Sequence, residues 1–453
     1  MKVTRRSVVK GVVAGATAVA FPAVVSGRNL NSRLQVACVG VDGIATLDIG
    51  RVASHPAVKL VGFCDVDTNR FAKADQKFPG VRHFADYREM FATLGDGFDA
   101  VIVDTPDHAH APVAVAAMQR RKHVYCQKPI SHTVWEARQM RLWAERSGVA
   151  TQMGNQIHSN AEYRIATRLV KDGAIGKVRE VFSWAGVTGN QRTRLFAPPK
   201  AAAVPANLDW NLWIGAAPMR DYALAYHPFT WRDWQDFGGG ALGDFGCHIL
   251  DPVSTALDLT APLSVTAKNS GVNDQVWPTQ QVVTYVYPAT AFTAGDRLKV
   301  TWMDGGLKPS HKLAQMPGDV DLPAAGSVFI GEKGCMVLPH VGMPKLYPAD
   351  QYAGFEMPKV EARDHWHDWI DACLAGTRTT DGFHYSGPLT EAVHLGNIAT
   401  RLAQPPLDPV TGQLDETPRV LEWDAAALRF KNSPEADRLI SKAYRAGFDV
   451  PAA

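Results

Sequence analysis

Between Leu34 and Gly154, short apolar runs alternate with helix-like stretches, and this alternation limits the possible fold more than any other feature of the chain. The apolar runs fall at 34–39, 58–64, 100–103, 123–126 and 149–153. Helical stretches such as 111–121 and 133–147 separate them, and the second opens with a capping-box pair, Thr133 and Glu136. Strands that alternate with helices pair in parallel, so the segment is expected to form a doubly wound α/β sheet. Further on, strand-like runs at 178–184, 280–286, 298–302, 327–330 and 335–338 have no long helices between them. That pattern predicts a second, α+β unit around a mainly antiparallel, open sheet. The expected organisation is a leader at 1–33, a first domain at 34–154, a second at 155–424 and a C-terminal arm at 425–453.

The first strand runs into Gly40-Val41-Asp42-Gly43-Ile44-Ala45. Gly40 and Ala45 fill the first and third slots of a dinucleotide-binding (Rossmann) turn, while Asp42 takes the second, where glycine is usual. Asp65 ends the second strand, 25 residues after Gly40. An acid at that spacing hydrogen-bonds the adenosine ribose and repels a 2′-phosphate, which favours NAD over NADP. Two further loops lie at strand C-terminal ends, where such folds bind ligands. One carries Thr105, Pro106, His108 and His110; the other is Gln127-Lys128-Pro129. A residue before proline is held extended, and the Lys128 ammonium there can hydrogen-bond a hydroxyl and ease its deprotonation.

Residues 237–252 read FGGGALGDFGCHILDP. Asp244 and His248 stand four apart beside a glycine turn and share a face if the segment is helical. A carboxylate and an imidazole so placed can exchange a proton near neutral pH; the same residues also suit a plain helix start. The linker 154–160 carries Gln156 and His158. Residues 207–234 are dense in rings, and Trp231 with Arg232 lies nearest the glycine turn, suited to stacking on a sugar face. Asp364-His365-Trp366-His367-Asp368 looks metal-like, but residues two apart on a helix diverge, so no metal is expected.

The order of these motifs resembles the glucose–fructose oxidoreductase, inositol dehydrogenase and rhizopine catabolism (Gfo/Idh/MocA) family. Its members carry a glycine-rich turn, a T-P-x-x-x-H loop, E-K-P, and a G-G-G stretch followed by D-x-x-x-H. Here these are 40–45, 105–110, 127–129 and 238–248. Gln127 in place of Glu, and Asp42 in place of glycine, depart from the pattern. The resemblance implies an oxidoreductase that uses NAD on a sugar, sugar derivative or cyclitol, with Lys128, Asp244 and His248 catalytic, and a homo-oligomer paired through the open sheet. It also places the linker 154–160 at the substrate cleft, with Gln156 and His158 within reach of sugar hydroxyls. Two alternatives accompany it: an NAD-dependent glycoside hydrolase working by transient oxidation, and a non-catalytic sugar or dinucleotide sensor.

Thr4-Arg5-Arg6-Ser7 precedes an apolar run at 11–25, which resembles a bacterial twin-arginine signal and implies a periplasmic address. Away from a renewable dinucleotide pool, a retained and internally recycled cofactor is the expected arrangement. A balance of 47 basic against 45 acidic residues, net +2, names no nucleic-acid partner. The six cysteines form no C-x-x-C motif.

Overall fold

The computed structural model describes residues 33–187, 197–318, 320–403 and 418–453. The twin-arginine stretch lies outside the described residues, as do parts of the basic segment after 190 and of the Pro-rich stretch after 405.

The first sheet has strands β1 (Leu34–Val39), β2 (Val58–Cys64), β3 (Arg82–Phe84), β4 (Ala100–Val103), β5 (His123–Gln127) and β6 (Thr151–Gly154). Their spatial order is β3-β2-β1-β4-β5-β6, with every pairing parallel. Val36, Ala37 and Cys38 are fully buried, as befits strands covered by helices on both faces. β3 had no clear sequence signal: it is three residues long, and only Phe84 is buried. The Val134–Ser147 helix carries the expected capping box, with Thr133 and Glu136 each accepting from the other's backbone N–H.

The second sheet is built from β7 (Val178–Trp184), β8 (Ser264–Asn269), β9 (Gln281–Pro288), β10 (Arg297–Asp304), β11 (Gly326–Gly331), β12 (Cys335–Pro339), β13 (Lys345–Tyr347), β14 (Leu421–Asp424) and β15 (Arg429–Phe430). It is antiparallel except where β7 meets β10. Burial alternates residue by residue along β8 and β9, so one face packs inward and the other is half exposed.

Three segments cross the expected domain boundaries. The His365–Ala375 helix packs on the first domain, where Trp369, Ile370 and Cys373 share a core with Val36, Cys38 and Tyr125. The C-terminal arm also returns there: Trp143 Nε1 donates to Pro451 O, and Lys442 pairs with the buried Glu136 at 3.0 Å. The Phe383–Leu402 helix lies against both domains, and Arg138 clamps its Glu391 through two bonds of 2.7 and 2.8 Å.

A strap from the second domain is sewn to the loop after β2. Asp209 N donates to Val66 O and Thr68 N to Asn207 O, both at 2.9 Å, and Asn207 Nδ2 reaches Asp67 Oδ1 at 2.6 Å. From there the chain turns into the short Trp210–Ile214 helix.

Candidate active site

A cavity of about 420 Å³ runs along the C-terminal ends of β1, β2, β4 and β5, and the Trp210–Ile214 helix that follows the strap adds Leu212 and Trp213 to its lining. Gly40 lines it at φ +82°, and a Cβ there would lie 2.5 Å from Asp104 O, so only glycine fits this turn. Gly43, at φ +69°, faces open space, leaving its backbone approachable. Thr105 Oγ1 is buried and without a hydrogen-bond partner, in a residue that lines the cavity. Ile44, Pro106 and Gln127 line it as well. These residues fit a bound nicotinamide dinucleotide: a glycine cradle for the pyrophosphate, an unsatisfied hydroxyl, and Asp65 at the ribose end.

Asp65 Oδ2 accepts from Val41 N at 3.2 Å and Oδ1 from Asp67 N at 3.0 Å. Burial outweighs these bonds and pushes the carboxyl pKa up to about 6. A raised acid is neutral below that value, and its ionised form costs folding stability above it. NADH affinity is therefore expected to fall as pH drops through about 6, because a protonated Asp65 loses acceptor capacity toward the ribose. Titrating NADH binding across about pH 5 to 8, with Asp65→Asn as the control that flattens the dependence, checks this.

Asp42 lines the cavity too. Its carboxylate turns to Lys73 and Arg70, each at 2.8 Å. Burial opposes the charge, but hydrogen bonds from Lys73, the Gly43 backbone and Arg70 prevail and hold the pKa down at about 2.

At the other end of the cavity, Lys128 Nζ donates to Asp244 Oδ1 at 2.7 Å and to Asp244 O at 2.8 Å. Arg232 Nε stands 3.4 Å from the same carboxylate. Asp244 therefore serves Lys128 and Arg232, whereas the spacing of four suggested His248 as its partner. The Gly240–Ile249 helix does place both residues toward this region, but the nearby cations claim the carboxylate. His248 instead hydrogen-bonds Asn155 through Nδ1. Asn155 Nδ2 donates to Cys247 O at 3.0 Å, so its Oδ1 is the atom facing His248. That orientation puts the proton on Nδ1 and leaves Nε2 with the lone pair. Burial, then the charges of Lys128 and His340, hold the imidazole well below its usual pKa, so it is neutral at pH 7.

Gln127 does not contact Lys128 through its side chain; Nε2 donates to Asp48 Oδ2 at 2.6 Å. Trp231, Arg232, Gln156 and His248 line the cavity beside Lys128, and the guanidinium lies 4.2 Å over the Trp231 ring. Asp107 also lines it, although sequence reasoning did not single it out. Burial pushes its pKa up to about 7, against the pull of Arg232 and Lys128. Gly239 N donates to its Oδ2 at 3.1 Å.

Two expected site residues lie elsewhere. His108 is buried away from the cavity, with Nε2 2.9 Å from Trp213 O and Nδ1 3.3 Å from Phe237 O. Its ring joins the two domains, because one step along the Asp107–Gln119 helix turns it away from the side that Asp107 faces. His158 lines a separate cavity, 2.8 Å from Asp251 and 3.2 Å from Thr380. The single turn Gln156–Ser159 sends Gln156 and His158 in different directions. His110 does line the main cavity, but both ring nitrogens face backbone carbonyls, Thr105 O and Pro129 O, at 2.7 Å. It thus ties the two ligand loops together. His365 and His367 diverge as expected, toward Ser159 and Ser54. Among the described residues no helix is long and apolar enough to cross a membrane.

A family model described as the NAD-binding Rossmann fold of the GFO/IDH/MocA oxidoreductase family matches residues 34–155. The model for that family's C-terminal alpha/beta domain matches 167–295. The chain is 25% identical over 221 residues to glucose-6-phosphate 3-dehydrogenase of Bacillus subtilis, covering 48% of this chain and 52% of that one. It is 25% identical over 151 residues to inositol 2-dehydrogenase of Rubrobacter xylanophilus, covering 33% and 43%. The chain thus spans about half or less of the length of these curated relatives. Among solved structures, the WlbA dehydrogenase of Bordetella pertussis with NADH and UDP-GlcNAcA aligns at a TM-score of 0.56 and 16% identity, over 82% of this chain and 97% of that one. The aldose-aldose oxidoreductase of Caulobacter crescentus aligns at 0.52 and 17%, over 82% and 98%. At such identities the structures speak for the fold, while the two family models together cover more than half of the chain. The chain belongs to the Gfo/Idh/MocA oxidoreductase family.

Proposed function

We propose that this protein is an oxidoreductase acting on a secondary alcohol of a sugar, sugar derivative or cyclitol, with NAD retained as its dinucleotide. One observation carries the reading: Lys128 and a neutral His248 line one cavity that also holds the glycine cradle and a wall of Trp231 and Arg232. When bound, the dinucleotide supplies the hydride acceptor. Lys128 Nζ donates a hydrogen bond to the reacting substrate oxygen, favouring its deprotonated form. His248 Nε2 takes the hydroxyl proton, with Asn155 fixing the tautomer that leaves this atom basic. Asp244 places the ammonium, while Trp231, Arg232 and Gln156 orient the ring and its hydroxyls. Relatives named glucose-6-phosphate 3-dehydrogenase, levoglucosan dehydrogenase and inositol 2-dehydrogenase support the substrate class. They favour hydride transfer over the hydrolase and sensor readings.

The main-chain bonds that tie the strap to residues just after Asp65 support tight retention. Asp65 favours NAD over NADP. Export through a twin-arginine signal and association of copies through the half-exposed sheet face belong to the same proposal; the first rests on sequence alone. The test is to purify the protein without added cofactor, identify any released nucleotide by mass spectrometry, and offer sugars and cyclitols while following absorbance of the reduced cofactor. Stoichiometric NAD that is reduced by one of them is the expected result. Protein that carries or accepts dinucleotide but is reduced by no polyol sinks the proposal.

A further inference from the structure

The oddest residue in the phosphate turn is Asp42. An acid at the second slot of a dinucleotide fingerprint stands where a pyrophosphate approaches, and it should repel it. The structure shows how the chain tolerates this: both carboxylate oxygens turn aside, Oδ2 to Arg70 Nη1 and Oδ1 to Lys73 Nζ, each at 2.8 Å. These two cations are not incidental in position. They follow Asp65 by five and eight residues, on the segment that leads away from the end of β2. In enzymes that take NADP, an arginine near the acid that ends the second strand accommodates the 2′-phosphate. Arg70 also lines the cavity.

We infer that Asp42 is a built-in stand-in for the 2′-phosphate, and that by occupying Arg70 and Lys73 it sets a preference for NAD over NADP. The inference rests on the dinucleotide reading above and names the residue that makes it selective. Three features of the geometry support it. A carboxylate shared between a guanidinium and an ammonium satisfies the same donors that a phosphate oxygen pair would. Arg70 does not depend on Asp42 for its place, because Nε is also held by Asp67 Oδ2 at 3.2 Å. Removing Asp42 therefore frees Nη1 without releasing the side chain. Asp67 is itself fixed, accepting from Asn69 N at 3.1 Å and from Asn207 Nδ2 at 2.6 Å. With Asp42 in place, a 2′-phosphate meets two carboxylates, Asp42 and Asp65, and cations already neutralised.

The test is equilibrium dialysis of NADH and NADPH against the full-length protein, stripped of bound nucleotide, and its variants. Asp42→Gly restores the usual glycine, and Asp42→Asn removes the charge at constant size, which guards against a folding defect in the first. In both, the NADPH-to-NADH affinity ratio is expected to rise by about tenfold or more, the equivalent of regaining one charge-assisted hydrogen bond. The triple variant Asp42→Gly/Arg70→Ala/Lys73→Ala is expected to lose that gain. An unchanged ratio in folded Asp42→Gly and Asp42→Asn overturns the inference, as does a gain that survives in the triple variant. Wild-type protein that binds neither dinucleotide overturns the dinucleotide reading itself, so the two failures are distinguishable.

Discussion

Lys128→Met is expected to lower kcat by about 10²–10⁴-fold while dinucleotide still binds, because the variant keeps the apolar stem and removes only the ammonium that meets the substrate oxygen. The side chain of Lys128 is 14% exposed and that of its partner Asp244 11%. Deleting one partner of a buried pair costs about 3–5 kcal/mol. Arg232, 3.4 Å from the same oxygen, remains to offset part of that. The double variant Lys128→Met/Asp244→Asn removes the stranded charge. It is expected to recover stability in a thermal melt without recovering turnover. Steady-state kinetics with NADH titration by fluorescence separates the two effects. Turnover near the wild-type level in folded Lys128→Met would remove the ammonium from the mechanism.

Replacing His248 by leucine is expected to cost a comparable 10²–10⁴-fold in kcat at neutral pH, with partial recovery at high pH, where solvent takes the proton unaided. In the wild type, the acid limb of kcat/KM should lie below the ordinary imidazole range. Burial and the charges of Lys128 and His340 disfavour the imidazolium. The folded pKa lies below the unfolded one, so protonating this ring on acidification also costs stability. Asn155→Ala tests position rather than chemistry. It leaves His248 in place, frees the tautomer, and is expected to alter the pH profile more than KM. A pH–rate profile identical in all three proteins would rule out His248 as the proton acceptor.

The first domain was legible because its signals are local. Apolar runs of four to seven residues separated by helical stretches, a glycine turn and an acid at the end of β2 are all readable within a short window. The pairing of Asp244 with Lys128 was not, since the two lie 116 residues apart and a helical spacing of four suggested His248 as the closer partner. Asn155 escaped for the same reason, 93 residues from the imidazole it holds. Asp107 sits among the residues of a recognised loop, and only burial against Gly239 and proximity to Arg232 distinguish it. His108 and His158 show the opposite error. Both are polar residues in ligand-side loops, yet one imidazole bonds across the domains and the other serves a different cavity. The strap was read only as a ring-rich segment, because two of its bonds join main-chain atoms, which leave no mark on the sequence, and the third joins Asn207 to Asp67 across 140 residues.

The strap also bears on the order in which the molecule is assembled. Its stitches join residues about 140 positions apart, and closures over such a span come late in folding, after their loop entropy has been met by other contacts. By then the groove of the first domain has already formed. A dinucleotide held by the folded chain stabilises these late closures with the rest of it by mass action, as any ligand of the native state does.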